Sequence, residues 1–306
     1  MGRGSVGEVI GRFAPSPTGV LHLGNLRTAL ASWLSVRTAN GRWRLRVEDV
    51  DGPRCRPEHE ARQLRDLEAL GLTWDGPVMR QSERGEAYRA ALAALHAASR
   101  LYPCVCTRRD LQALASAPHA EDGLRPYPGT CRARPWVGFE AALRLRLPDG
   151  PVAWEDRCLG PQRDDPAALT GDPLLFRRDG CFAYHLAVVV DDGAQGVTEV
   201  VRGADLHGVT ATQARLQEAL GLPRPVYAHL GLVLGPVGER LGKRAGALGL
   251  AELAVRGVAL PEVVGWLGFS LGCLDRPEPC RAEDLVPRFA WDRVPKGDAA
   301  VPEAWA

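Results

Sequence analysis

The stretch RFAPSPTGVLHLGNLRTAL, Arg12 to Leu30, gathers groups suited to an anion. Pro15 and Pro17 lock φ and lack amide donors, so they end a strand and stiffen the turn after it. Gly19 and Gly24 permit close backbone approach. From Asn25 onward, Leu26, Leu30, Trp33 and Leu34 recur at helical spacing, which predicts an amphipathic helix. His22 thus stands at a helix start, where unpaired N–H groups and the positive end of the dipole favour phosphate. Elsewhere the chain offers acids after an alternating stretch (Glu48, Asp49, Asp51), an Asp191-Asp192 pair, Arg202, and Cys104-Val-Cys106 followed by Tyr127-Pro-Gly-Thr-Cys131. Cys104 and Cys106 are two apart, so on an extended segment both thiols face one side. Three thiolates and one further ligand would satisfy tetrahedral zinc, but the spacing fits buried thiols as well.

These groups need elements to hold them. Glu8 to Ala14 reads as a first strand and Trp43 to Glu48 as a second. Pro57 opens a helix to about Leu70 that Gly71 stops, and Ser82 is placed to cap another. The order β-α-β-α-α is that of a doubly wound α/β half. Leu101 to Gly180, rich in Pro, Arg, Cys and Asp, reads as an insert. Phe182 to Val190 reads as a buried parallel strand, Val197 to Arg202 as another, Thr210 to Leu220 as a helix ended by Gly221, and Val226 to Leu234 as strand-like. The remainder, from about Glu239, reads as helix and loop. In open α/β sheets ligands lie beyond the carboxyl ends of the strands, which brings Arg12 to Ser16, Glu48, Asp191-Asp192 and Arg202 toward one crevice.

The whole chain bounds the chemistry. Its 306 residues, 45% apolar and 25% charged, suit an ordinary globular protein of about two domains. No aliphatic run is long enough to span a bilayer, and the N-terminus has no apolar signal region, so a cytoplasmic location is expected. Eight cysteines in such a context read as thiols or metal ligands. The net charge of +1 decides nothing about nucleic acid. Residues 100–146, with eight arginines against four acids, are +4, either a phosphate-facing patch or a solvated arginine-rich surface. All 38 basic residues except Lys243 and Lys296 are arginine. Arginine replaces lysine poorly where a compact ammonium must fit, so each remaining lysine is a functional candidate.

RFAPSPTGVLHLGN resembles the "HIGH" signature of class I aminoacyl-tRNA synthetases in the form used by the glutamyl and glutaminyl branch. LRVEDVD (45–51), FAYHLAVVVDD (182–192) and GVTEVVRGADL (196–206) match that branch in order and spacing. The chain ends where the branch would begin an anticodon-binding domain. With the C-x-C…Y-x-x-x-C pattern, this resembles the paralogue group that activates glutamate and transfers it to the queuosine base of tRNA(Asp). The resemblance implies a Rossmann-type catalytic domain in two halves (1–100 and 181–238), an inserted acceptor-binding, zinc-bearing subdomain (101–180), and a mostly helical stem-contact region (239–306).

The resemblance also implies roles. ATP, with its magnesium, would meet Pro15, Thr18, His22, Gly24 and Asn25. The "KMSKS" position falls on Arg240-Leu241-Gly242-Lys243-Arg244, which departs from the pattern but keeps Lys243 as a catalytic ammonium beside His22. Glutamate carries one ammonium and two carboxylates. Glu48 suits the ammonium, beside Phe13, Ala14, Pro15 and Ser16; Arg12 and Arg202 suit the carboxylates, and Tyr184 can donate a hydroxyl. An asparagine that often follows this tyrosine is here Val188, which implies a looser pocket. Cys104, Cys106, Tyr127 and Cys131 would hold one structural zinc. The partners implied are L-glutamate, ATP and queuosine-bearing tRNA(Asp), with no membrane, acting as a monomer. The competing readings are a truncated glutamyl-tRNA synthetase charging tRNA(Glu), a small nucleotidylyltransferase, and a non-catalytic tRNA-binding paralogue.

Overall fold

The computed structural model describes residues 7–50, 52–107, 110, 126–235, 238 and 248–305. Its centre is a seven-stranded sheet in the order β3-β2-β1-β9-β10-β6-β7. These strands are β1 (Ile10–Phe13), β2 (Arg42–Val47), β3 (Met79–Arg80), β6 (Val152–Asp156), β7 (Gly160–Asp164), β9 (Glu199–Gly203) and β10 (Val226–Leu230). All neighbours are parallel except the β6-β7 hairpin pair. From β1 the chain goes to β2 on one side and later to β9 on the other. The crevice between β1 and β9 is therefore the switch point, where such sheets bind ligands.

Helix α1 (Leu23–Thr38) starts two residues earlier than its apolar spacing predicts, because His22 and Asn25 form a capping box. Nearly all of its length is buried, with Leu23, Leu26, Leu30 and Leu34 in one core with Trp43 and Leu45 of β2. Helix α2 (Pro57–Ala69) has Pro57 at its first turn, and Gly71 follows it in the left-handed region at φ 75°. Ser82 does not cap a helix. Its N–H and hydroxyl both donate to Asp49, and α3 (Gly85–Ala97) begins later, with Arg84 at its N-cap.

Within 101–180, β4 (Leu101–Cys104), β5 (Ala142–Leu145) and β8 (Leu174–Phe176) form a separate three-stranded sheet, whereas β6 and β7 join the central sheet. A short helix, α4 (Pro166–Leu169), follows β7. The expected strand 182–190 is a helix, α5 (Tyr184–Ala194). An uninterrupted apolar run fits a buried strand or a buried helix equally well. Here Leu186, Ala187 and Val189 are buried against α3 and the neighbouring helix α6 (Thr210–Leu220), which Gly221 ends at φ 66° as expected. The C-terminal part holds α7 (Leu250–Val255), α8 (Leu260–Ser270) and α9 (Ala282–Leu285), and β12 (Ala299–Ala300) pairs with β11 (Val233–Leu234). Among the described residues no helix is long and apolar enough to cross a membrane.

Candidate active site

A cavity of about 580 Å³ opens at the switch point. Arg12, Phe13, Ala14, Pro15, Ser16, Thr18, His22, Gly24, Asn25, Glu48, Tyr184 and Arg202 all line it. Lys243 lies outside the described residues. The chain on either side of its segment can be located: Val233 lines the cavity, and the Leu248 carbonyl accepts from Leu23 N at the start of α1.

The proline-bearing turn is pinned from three sides. Glu48 N donates to Pro15 O, Arg56 N to Pro17 O, and Gln63 Nε2 to the carbonyls of Ser16 and Gly19 at 3.1 and 2.7 Å. Gln63 also lines the cavity. Nothing local marks it as a site residue, since its partners lie more than forty residues away. At the helix start, Gly24 N donates to His22 Nδ1 at 3.1 Å, and His22 N donates to Asn25 Oδ1 at 3.2 Å. With Nδ1 accepting, the proton of the neutral ring belongs on Nε2. A Cβ on Gly24 would stand 2.9 Å from the His22 ring, so a side chain there would push the imidazole away from Gly24 N. The result is a capped helix N-terminus whose positive dipole end and His22 ring line the cavity.

The opposite wall carries charge. Arg46 Nη1 donates to Asp192 Oδ1 at 2.7 Å, and its Nη2 to Glu48 Oε1 at 3.2 Å. Arg12 Nε reaches Asp192 Oδ1 at 3.4 Å, and its Nη1 donates to Val201 O at 3.2 Å. Burial opposes ionisation of Asp192, but Arg46 and Arg12 outweigh it and hold the carboxyl below its ordinary range. For Glu48 burial wins over the same two arginines and pushes the carboxyl up. Burial likewise raises the Tyr184 phenol, which stays a donor. Asp191 and Asp192 do not enter the crevice from a strand end. They are buried on α5, where Asp191 accepts from Tyr88, Gln81 and Arg84. Val188 is buried on the same helix and is not among the residues lining the cavity.

Arg202 is 4% exposed and surrounded differently. Its Nε donates to His229 Nε2 at 3.0 Å, Nη1 to Gln213 Oε1 at 2.7 Å and Nη2 to Thr210 Oγ1 at 2.7 Å. No carboxylate stands within ion-pair distance of it among the described residues.

Away from the cavity, Cys104, Cys106 and Cys131 bring their Sγ atoms within 4.8 Å of one another. Cys106 Sγ is 3.6 Å from Cys131 Sγ, and the Tyr127 hydroxyl is 3.7 Å from the sulfurs of Cys104 and Cys106. Tetrahedral zinc–thiolate bonds of about 2.3 Å imply ligand separations of about 3.8 Å, so the donor set fits that ion. The Cys131 thiol is pulled down to about 6: burial opposes this, but hydrogen bonds from Tyr127 and the Val105 N–H outweigh it. Three of the arginines of 100–146 are engaged internally. Arg144 lies over the Tyr127 ring and donates to Cys104 Sγ, Arg132 pairs with Asp172, and Arg146 donates to Arg132 O. Arg108, Arg109 and Arg125 lie outside the described residues.

A parallel sheet with a phosphate-suited helix start at its switch point, beside an acid and two arginines, is the arrangement of a nucleotide-dependent amino-acid ligase. Residues 8–271 match the family "tRNA synthetases class I (E and Q), catalytic domain", and the chain belongs to it. Its relatives are more particular. The glutamyl-Q tRNA(Asp) synthetase of Symbiobacterium thermophilum is 48% identical, over 95% of this chain and 95% of its own length. That of Geobacter sulfurreducens is 53% identical over 79% of this chain and 78% of its own. Among solved structures, the glutamate-tRNA synthetase from Elizabethkingia anophelis superposes with a TM-score of 0.79 at 27% identity, covering 97% of this chain and 69% of that one.

Proposed function

We propose that this chain activates L-glutamate with ATP to glutamyl-adenylate, without tRNA, and transfers the glutamate to the queuosine base of tRNA(Asp). The observation that carries the reading is the single cavity in which a helix N-terminus faces an acid and two arginines. The reading agrees with the names of relatives that match nearly the whole chain. Glutamate transfer onto tRNA(Asp) with and without queuosine tests it. Charging of tRNA(Glu) instead would replace it.

In this reading ATP, bound with magnesium, sets its phosphates against His22 and the N–H groups around Gly24 and Asn25, with Pro15 and Thr18 beside it. As the glutamate carboxylate attacks in line, negative charge grows on the α-phosphate, and donors already aimed there stabilise it. Glu48 takes the glutamate ammonium, near Phe13, Ala14 and Ser16. Arg12 and Arg202 take carboxylates, and the Tyr184 hydroxyl donates. Lys243 stabilises the leaving pyrophosphate. Lys243→Ala should then cost about 3 kcal/mol in activation, read by ATP–pyrophosphate exchange.

Cys104, Cys106, Cys131 and Tyr127 would hold a zinc ion that cross-links the small sheet and does no chemistry on substrate. Chelation should loosen residues 101–147 in hydrogen exchange and leave α1 protected, because a structural metal contributes to folding directly. We read 101–180 as the part facing the tRNA and 239–306 as the part contacting its stem.

A further inference from the structure

We propose that Asp156 and His229 are positioning residues for glutamate: together they fix one imidazole tautomer and so hold Arg202 ready as a cation with no acidic partner. The inference rests on the glutamate reading above, and it concerns two residues from strands that carry no signature motif. His229 lies on β10 and Asp156 at the end of β6, and both are buried.

The chain of hydrogen bonds has only one consistent proton assignment. Arginine is always a donor, so Arg202 Nε, 3.0 Å from His229 Nε2, requires a lone pair on that nitrogen. The ring proton must then sit on Nδ1, which is 2.5 Å from Asp156 Oδ2. Asp156 is itself fixed, because its Oδ1 accepts from the N–H groups of Cys158 and Leu159 at 2.9 Å each. Burial opposes ionisation of Asp156, yet the His229 hydrogen bond, with the two backbone donors, keeps its carboxyl below the ordinary range. Burial keeps the His229 imidazole below its ordinary value despite Asp156, with Arg202 and His207 acting in the same direction. The histidine is a neutral spacer. It passes orientation from Asp156 to Arg202 while keeping the carboxylate out of contact with the guanidinium.

That spacing has a functional consequence. Were an aspartate to pair directly with Arg202, the guanidinium fork would be occupied and an incoming carboxylate would have to displace it. With three neutral acceptors the guanidinium is rigid but electrostatically unspent, and it faces a cavity. A carboxylate there gains a charge-assisted bond without breaking an ion pair. Nothing in this device touches the helix start, so it should tune glutamate and leave ATP alone.

Asp156→Asn tests it. The two backbone N–H groups keep the amide oxygen at the Oδ1 position, which turns the amide NH2 toward His229 Nδ1. The ring must accept there and carry its proton on Nε2, facing Arg202 Nε donor to donor. His229→Asn keeps a donor toward Asp156 and loses the acceptor toward Arg202; His229→Gln reaches far enough to restore that acceptor. In ATP–pyrophosphate exchange, Asp156→Asn and His229→Asn should raise the KM for glutamate about ten- to hundredfold, the size expected for a lost charged hydrogen bond. The KM for ATP should stay within about twofold of the unaltered protein, and His229→Gln should recover most of the loss. Equal rises in both KM values, an unchanged glutamate KM, or His229→Gln no better than His229→Asn would overturn the proposal. Glutamate-dependent exchange by the unaltered protein tests the underlying reading separately; its absence would overturn that reading and this one with it.

Discussion

Arg12 and Arg202 are 5% and 4% exposed and line the same cavity, yet their surroundings are electrostatic opposites. Arg12 shares Asp192 with Arg46, which also holds Glu48, so two cations meet two carboxylates. Arg202 donates to a neutral imidazole, an amide oxygen and a hydroxyl and lies over the Tyr227 ring, with no ion pair among the described residues. Equal burial therefore does not mean equal readiness. The Arg12 side is a compensated network that a buried fold can tolerate without ligand. The Arg202 side holds one positive charge with no ion-pair partner among the described residues, which suits the carboxylate proposed for it.

The sharpest way to break this contrast is to remove each charge. Arg202→Gln should lower kcat/KM for glutamate on the order of a thousandfold while sparing the KM for ATP, because a buried carboxylate would lose its counter-ion. If the same change at Arg12 costs as much through the same parameter, the two sites are alike and the contrast fails. Next in size, Asp192→Asn should act on folding. It leaves Arg12 without its acidic partner and Arg46 with Glu48 alone, and should cost about 3 kcal/mol in denaturant unfolding. A variant that unfolds like the unaltered protein would mean that Asp192 does not hold the network together.

The smallest effect is a pH dependence in which the two carboxyls have opposite signs. Asp192 titrates below its ordinary value in the folded protein, so its stability contribution is present above the unfolded value and fades as pH falls through the folded one. Glu48 titrates above its ordinary value, so its contribution is present below the unfolded value and is lost as pH rises through the folded one. If ionised Glu48 receives the glutamate ammonium, calorimetric affinity for glutamate should weaken as pH is lowered toward about 5, where an exposed glutamate is still mostly ionised. Affinity that holds constant down to about pH 4 would remove Glu48 from that role.

Much of the site could be read in the chain because its chemistry is local. Between Pro15 and Asn25 the prolines, glycines and capping side chains act within a few residues of one another, so type and spacing carry the geometry. Glu48 and Arg202 followed from where strands end. The reading failed at Tyr184 to Val190, where an apolar run without alternation fits strand and helix alike and packing on α3 and α6 chose the helix. Nor did it foresee that Arg132, Arg144 and Arg146 are engaged by Asp172, Cys104 and carbonyl oxygens of the same region.

By itself the sequence determined the phosphate-suited turn and the helix behind it, which depend on neighbours in the chain. Only the tertiary structure decided which carboxylates neutralise Arg12 and which groups leave Arg202 unpaired. Those partners come from β10, α5 and α6, at separations from 8 to 180 residues. A charge across such a distance is felt only after burial has removed the water between the groups, and no periodicity in the chain records which pairs burial will bring together.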